Sequence, residues 1–176
     1  VTRLPFESAS FDAVTTRFCL MFLPDIPMVA REIARVLKPG GYVAAAVWSS
    51  PEKNPFIALP MGILRSHVTL PPPDPEQPGV FRLARAEDLI GMMEKAGLVG
   101  VADSEVEGEA RYDSVDQYFE SLMELAAPLK TLFQGLSGSQ RLQVEAEIKT
   151  ALGKFKNGSS VRLPMAIRLV VARKPV

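Results

Sequence analysis

The residues of redox and metal chemistry are scarce in this sequence, and so are long apolar runs and charge of one sign. Among 176 residues there is one cysteine (Cys19), one histidine (His67) and one tryptophan (Trp48). A single cysteine excludes an internal disulfide framework and fits a reducing compartment. One cysteine with one histidine cannot build a zinc site. Twenty basic residues balance twenty acidic ones, so no electrostatic footprint favours nucleic acid or an anionic membrane. No run approaches the length of a bilayer-spanning helix, and no basic-then-apolar leader is read at the start. The cytoplasm is therefore the expected compartment. A Gly-x-Ser-x-Gly elbow, a phosphate loop and internal repeats are all missing. The length leads us to expect one domain with a real core.

What the chain does have is a strand–helix–strand unit at its start. Phe11 to Phe18 is apolar enough for a strand. Val29, Ile33, Val36 and Leu37 then recur at helical spacing, predicting a helix from about Pro27 to Leu37. Lys38-Pro39-Gly40-Gly41 is expected to stop it. Lys38 suits the negative helix end, Pro39 cannot continue the helix, and a glycine can take the left-handed closing turn. Tyr42 to Trp48 is a continuous apolar run, as expected of a strand covered on both faces. Short connections make this a right-handed crossover in a parallel sheet.

Leu4-Pro5-Phe6, Ser10-Phe11-Asp12-Ala13-Val14 and Arg35-Val36-Leu37-Lys38-Pro39-Gly40-Gly41 resemble, in that order, the second half of a class I S-adenosylmethionine-dependent methyltransferase. The similarity is closest to the group holding the ubiquinone/menaquinone-biosynthesis C-methyltransferases. Arg17-Phe18, Pro24-Asp25, the prolines after Trp48 and Val161-Arg162-Leu163-Pro164 extend it over nearly the whole chain. The resemblance implies an α/β, Rossmann-like fold. Its fourth to seventh strands would be present, the last antiparallel, with helical lid insertions. It implies S-adenosylmethionine as cofactor and a small-molecule acceptor.

The family's Gly-rich turn of G-x-G-x-G type, which wraps the cofactor's methionine part, has no counterpart in this chain. The expectation is a truncated piece of a longer enzyme, inactive alone; a natural half-protein without the cofactor site is the alternative. The strand at Phe11–Phe18 would then lose a neighbour, leaving an apolar edge that invites pairing. A homodimer, a domain swap or a retained N-terminal piece would cover it.

Beyond Trp48, residues 49–83 are punctuated by proline. Asn54-Pro55 suggests a helix start, with Phe56 to about His67 helical and broken or kinked near Pro60. Pro71–Pro73 suggests an extended connector. Ala86 to Leu98 returns to helix, and Leu98 to Glu107 to strand. Two or three helices are expected from Ser114 to about Phe155. Their inward stripes would be Tyr118, Leu122 and Leu125, then Leu142, Ile148 and Leu152. Asn157-Gly158-Ser159-Ser160 is a turn before a final strand. By domain, 1–110 is a partial methyltransferase core with a lid at 49–83. Residues 111–160 are a helical insert, and 161–176 return to the sheet.

The resemblance places Thr16, Arg17 and Phe18 beside the cofactor's methionine portion; ordinary strand-end packing is the alternative. Arg17 needs solvent or an anion, which could be a ligand carboxylate, Asp12 or Asp25. Trp48 ends a strand at the edge where ligands of open α/β sheets gather, and could contact a sulfonium or a flat acceptor. Phe56, Met61 and Tyr118, with Tyr112 and Met165, could line an acceptor pocket or simply be core. His67 could serve as a base, although a solvated or capping place suits it better. Cys19 reads as inert packing, and Glu105, Glu107 and Glu109 as one solvated strand face.

Together these imply methyl transfer to carbon or oxygen of a small apolar or aromatic acceptor, without metal. The alternative is a non-catalytic binding or scaffold protein that pairs through the open edge. Open space beside Trp48 would favour the enzyme, and a place filled by the chain's own side chains the scaffold. A nucleic-acid methyltransferase is disfavoured, since neither a basic stripe nor an Asn-Pro-Pro-Tyr-like motif occurs.

Overall fold

Asp25 begins the first helix as its side chain accepts the Met28 amide at 2.8 Å, with Pro27 preset in the first turn. In the computed structural model, which describes residues 3–69, 74 and 77–176, this helix is α1, Ile26–Val36. It buries Ile26, Ala30, Ile33 and Val36, with Val29 half-buried against the same core. Strand β1, Phe11–Arg17, precedes it, and β2, Leu37–Trp48, follows without a gap. The two strands are parallel. The other elements are α2 (Pro55–His67), α3 (Ala86–Lys95), β3 (Val99–Tyr112), α4 (Val115–Leu125), α5 (Ala127–Gly135), α6 (Gly138–Ala151), β4 (Lys156–Asn157) and β5 (Ser160–Arg173).

The sheet order is β1-β2-β5-β3, with β4 paired to β5. Strand β5 runs antiparallel to β2, Tyr42 facing Arg173 and Trp48 facing Ile167. The final strand is thus antiparallel, as expected. Strand β1 stands at an end of this order among the described residues. The chain divides into two compact units. One is Val1–Ser50, Pro73–Val106 and Ala166–Val176; the other is Pro51–Pro72 and Glu107–Met165. The expected boundaries fell elsewhere, because residues 51–72 group with the helical segment rather than with the core before them. The Pro71–Pro73 connector lies outside the described residues.

In the first unit Val43, Ala45 and Val47 of β2 meet Leu89, Met92 and Met93 of α3 in one core. The strand is not covered equally on both faces. Val43, Ala45 and Val47 are fully buried while Tyr42 is 52% exposed, so β2 alternates in the way of a one-sided strand. Helix α1 also ends differently from expectation. Its last residue is Val36, Leu37 is already extended, and Lys38-Pro39-Gly40-Gly41 lies inside β2. Those four residues sit opposite Asp12 alone, between the Phe11–Leu37 and Ala13–Tyr42 pairs. Gly40 takes a positive φ (+76°) within this irregularity. A side chain on Gly41 would bring its Cβ to 2.9 Å from the Asp12 carbonyl oxygen. Lys38 reaches both carboxylate oxygens of Asp12 at 2.9 Å, so its partner is a side chain rather than the helix end.

Glu32 and Arg35 of α1 tie down the Leu4-Pro5-Phe6 segment. Glu32 accepts the Leu4 amide at 2.9 Å, and Arg35 donates to the Phe6 carbonyl at 2.9 Å and to both oxygens of Glu32. The Arg35 guanidinium, helped by the Leu4 amide, holds the Glu32 carboxyl down at about 2. A depressed carboxyl contributes stability above its unfolded range and loses it as pH falls through the folded value. Stability is expected to drop between about pH 4.5 and about pH 2, and Glu32→Gln to flatten that limb in acid titration followed by circular dichroism. An unchanged limb in the variant would remove Glu32 from the account.

The second unit has a separate core of Leu64, Tyr118, Leu122, Leu129, Val144, Ile148, Leu152 and Leu163. Helix α2 runs unbroken through Pro60, where a kink or break was expected. Pro60 has no N–H for the carbonyl of Phe56, one turn back. The Tyr118 hydroxyl donates to that carbonyl instead, at 2.9 Å. Ser114 caps α4, and Ser137 with Gln140 forms a capping box on α6. The buried stripe of α6 is Val144 and Ile148, continued by Leu152 just past its end; Leu142, expected in it, is 72% exposed. Positions 144, 148 and 152 repeat every four residues, whereas 142 points elsewhere around the helix. No described helix is long and apolar enough to cross a membrane.

Candidate functional site

Strands β1 and β2 are parallel neighbours, so their carboxyl ends open on one side, where open α/β sheets hold ligands. The pairing sets Thr16 beside Ala45 and Arg17 beside Ala46. One residue on, the Phe18 amide donates to the Ala46 carbonyl at 2.9 Å. Phe18 then leaves the extended region for φ +52°. That conformation is uncommon for a residue with a large side chain and costs on the order of 1 kcal/mol. Its ring lies on Trp48, centroids 4.2 Å apart and planes 12° from parallel. Thr16, Arg17, Phe18 and Trp48 are therefore brought to one end of the sheet.

Arg17 is exposed and forms no ion pair among the described residues. Both acids considered for it are engaged: Asp12 with Lys38, and Asp25 with the Met28 amide. A guanidinium in this position is available to an anionic group. Cys19, expected to pack, is exposed instead. It opens the short turn Leu20–Phe22, which buries Leu20 and Met21.

A second polar group in the same unit was not foreseen. Ser49, almost fully buried, hydrogen-bonds Glu105, and Arg168 contacts Asp103 as well as the Ala84 carbonyl at 3.1 Å. Arg168 Nη2 also lies 3.6 Å from Glu105. Asp103 Oδ1 is buried and accepts no hydrogen bond from the described residues. Glu105 thus leaves the solvated row, whereas Glu107 and Glu109 stay exposed. Arg168, a charge inside the apolar final strand, was the one signal that a buried partner was needed. This set belongs to the structure of the sheet, because every member but that one oxygen is spent on another.

The three remaining candidates pack in the second unit. Tyr118 is 1% exposed, with Tyr112 edge-on to its ring at 5.1 Å, and burial pushes its phenol well above the usual range. Phe56 and Met61 are half-buried against the same core. His67 is neither solvated nor a cap. Its Nε2 lies 3.0 Å from Glu147 Oε2, and this contact depresses the Glu147 carboxyl. No metal-holding cluster of His, Cys, Asp and Glu occurs among the described residues.

Residues 1–45 match the family described as a methyltransferase domain. The demethylmenaquinone methyltransferase of Streptomyces griseus is 44% identical over 54 residues, 31% of this chain and 24% of that protein. That of Bacillus pumilus is 49% identical over 53 residues, 30% and 23% respectively. The chain thus matches about a quarter of the length of these curated relatives. In solved structures, a Bacillus halodurans protein provisionally assigned as a methyltransferase overlays with TM-score 0.54 at 19% identity. The overlay covers 99% of this chain and 75% of that one. The YcgJ protein of Bacillus subtilis gives 0.53 at 18% identity, covering 99% and 68%. Residues 1–45 are therefore similar to a methyltransferase domain, and the chain as a whole shares the open α/β fold of these two solved structures.

Proposed function

We propose that this chain serves S-adenosylmethionine-dependent methyl transfer to carbon or oxygen of a small, flat, apolar or aromatic acceptor. The observation that carries the reading is the convergence of Arg17, Phe18 and Trp48 at the carboxyl ends of two parallel strands. Two findings support it: the methyltransferase-domain match and the demethylmenaquinone methyltransferase relatives. The donor set fits one side of such a cofactor. Arg17 offers a guanidinium to a carboxylate, and the aromatic faces offer a negative quadrupole to a cationic sulfonium. When bound, the cofactor supplies an already activated methyl group. The chain's own residues then have to orient and shield, because in-line positioning provides much of the rate. Trp48 contributes the acceptor-side wall in this reading, while Phe56, Met61 and Tyr118 hold up the second unit.

A non-catalytic scaffold is the second reading. The place beside Trp48 is filled by the chain's own Phe18, and β1 is an end strand able to pair with a second copy or another segment. Calorimetry with S-adenosylmethionine separates the two. It should be run on this chain and on any longer form that its gene encodes. Binding in the micromolar range by either form, weakened about tenfold by Arg17→Ala, is expected for the enzyme. Absence of binding in both would end that reading and leave the scaffold.

A further inference from the structure

The turn that carries the chain from Phe18 towards α1 is a single short one, Leu20–Phe22, and so brief a stretch does not hold itself. Its carbonyls show what does. Those of Cys19 and Leu20 accept the Phe22 and Leu23 amides locally, at 3.0 and 3.1 Å. Those of Met21, Leu23 and Pro24 are met from far along the sequence. The Gly79 amide donates to the Met21 carbonyl at 3.0 Å. The Arg82 guanidinium donates to the Leu23 carbonyl at 2.6 Å and to that of Pro24 at 3.4 Å. A turn closed by the Arg82 amide on the Gly79 carbonyl, at 3.1 Å, brings these two donors together. Leu83, next in sequence, is buried in the same core as Leu20 and Met21. Residues 79–83 thus lie as a strap along the turn, and half-buried Arg82 contributes a fork of N–H groups to it.

We infer that Arg82 is a positioning residue for the strand-end site of Thr16, Arg17, Phe18 and Trp48. Phe18 sits at φ +52°, a conformation that a phenylalanine keeps only where its surroundings over-determine it. On one side its amide is bonded to the Ala46 carbonyl at 2.9 Å. On the other side the turn opens at the very next residue, Cys19, and the strap fixes that turn from outside. The stack of Phe18 on Trp48 therefore has a support 59 residues along the chain from Leu23. A site ordered before its ligand arrives loses less freedom on binding, so Arg82 adds to affinity without meeting the ligand. The inference rests on the cofactor reading above, and adds to it a residue that belongs to neither strand nor to α1.

Trp48 is the single tryptophan, so its emission reports on this place alone and needs no ligand. Arg82→Met keeps the length of the stem and none of the donors. In the folded variant the acrylamide quenching constant of Trp48 is expected to rise about twofold. Calorimetry with S-adenosylhomocysteine, on this chain and on any longer form that its gene encodes, should show binding about tenfold weaker. Arg82→Lys retains the charge but cannot fork between two carbonyls, and should bind about threefold more weakly than the unsubstituted protein. It carries the test alone if Arg82→Met does not fold. A lower urea midpoint with quenching and affinity both unchanged would make the strap purely structural and overturn the inference, leaving the cofactor reading intact. Either readout moving alone also overturns it. Loss of affinity alone would mean that Arg82 meets the ligand itself, and a change at Trp48 alone that the stack plays no part in binding. Absence of binding by the unsubstituted protein in every form overturns both the inference and the cofactor reading.

Discussion

Arg168→Met is expected to destabilise the protein by about 3–5 kcal/mol, read as a lower urea midpoint at an unchanged slope. The side chains of Arg168 and Asp103 are each only 15% exposed. Removing the guanidinium leaves Asp103 buried beside Glu105, with one oxygen already lacking a partner. An uncompensated carboxylate in such a place is far more costly than the intact pair is helpful. Pairing the change with Asp103→Leu should recover a large part of the loss, because the lone charge goes with it. A cost below about 1 kcal/mol for Arg168→Met would be the value of a surface ion pair, and would refute the burial argument.

The second large effect belongs to Tyr118→Phe. The substitution keeps the ring and its packing but removes the donor that serves the Phe56 carbonyl. Loss of that hydrogen bond should cost about 1 kcal/mol. The same change in a Pro60→Ala background should cost much less, because an alanine there restores the N–H that the helix ladder lacks at that turn. Urea unfolding of the four proteins closes a double-mutant cycle, and a coupling near zero would show that the hydroxyl and the proline are unrelated.

The way Tyr118 serves Pro60 also marks where sequence reading reached its limit. A proline in a helical stretch predicts a break because the missing hydrogen bond is local; the repair comes from a tyrosine three elements further along the chain, which no local pattern contains. Strand–helix–strand order from Phe11 to Trp48 was legible because α1 and β2 each bury a periodic face, and because the apolar run of β1 reads as a strand although only its Val14 packs partly against that core. The antiparallel final strand followed from resemblance rather than periodicity, and the pairing of Val43 with Ala172 bears it out. Lys38-Pro39-Gly40-Gly41 misled, since proline and glycine stop a helix and interrupt a strand ladder equally well. Glu105 and His67 misled for one shared reason. Their partners, Ser49 and Glu147, lie 56 and 80 residues away in sequence. Of the candidate site, Arg17, Phe18 and Trp48 were legible one by one, but their stacking was not. It depends on a positive φ at a phenylalanine, which sequence does not advertise.

The two neighbouring glycines at the start of β2 limit heritable change in unlike ways. Gly40 is bound by handedness: its φ of +76° suits an achiral residue, and the nearest atom to an added Cβ is the movable end of Arg173, at 3.1 Å. Gly41 is bound by volume, since the Asp12 and Lys38 carbonyl oxygens, at 2.9 and 3.0 Å, belong to backbone that cannot step aside. An asparagine, which tolerates the left-handed region, is therefore an available drift at Gly40 and never at Gly41. A motif written as two identical letters thus records two independent constraints, and its second letter is the less negotiable.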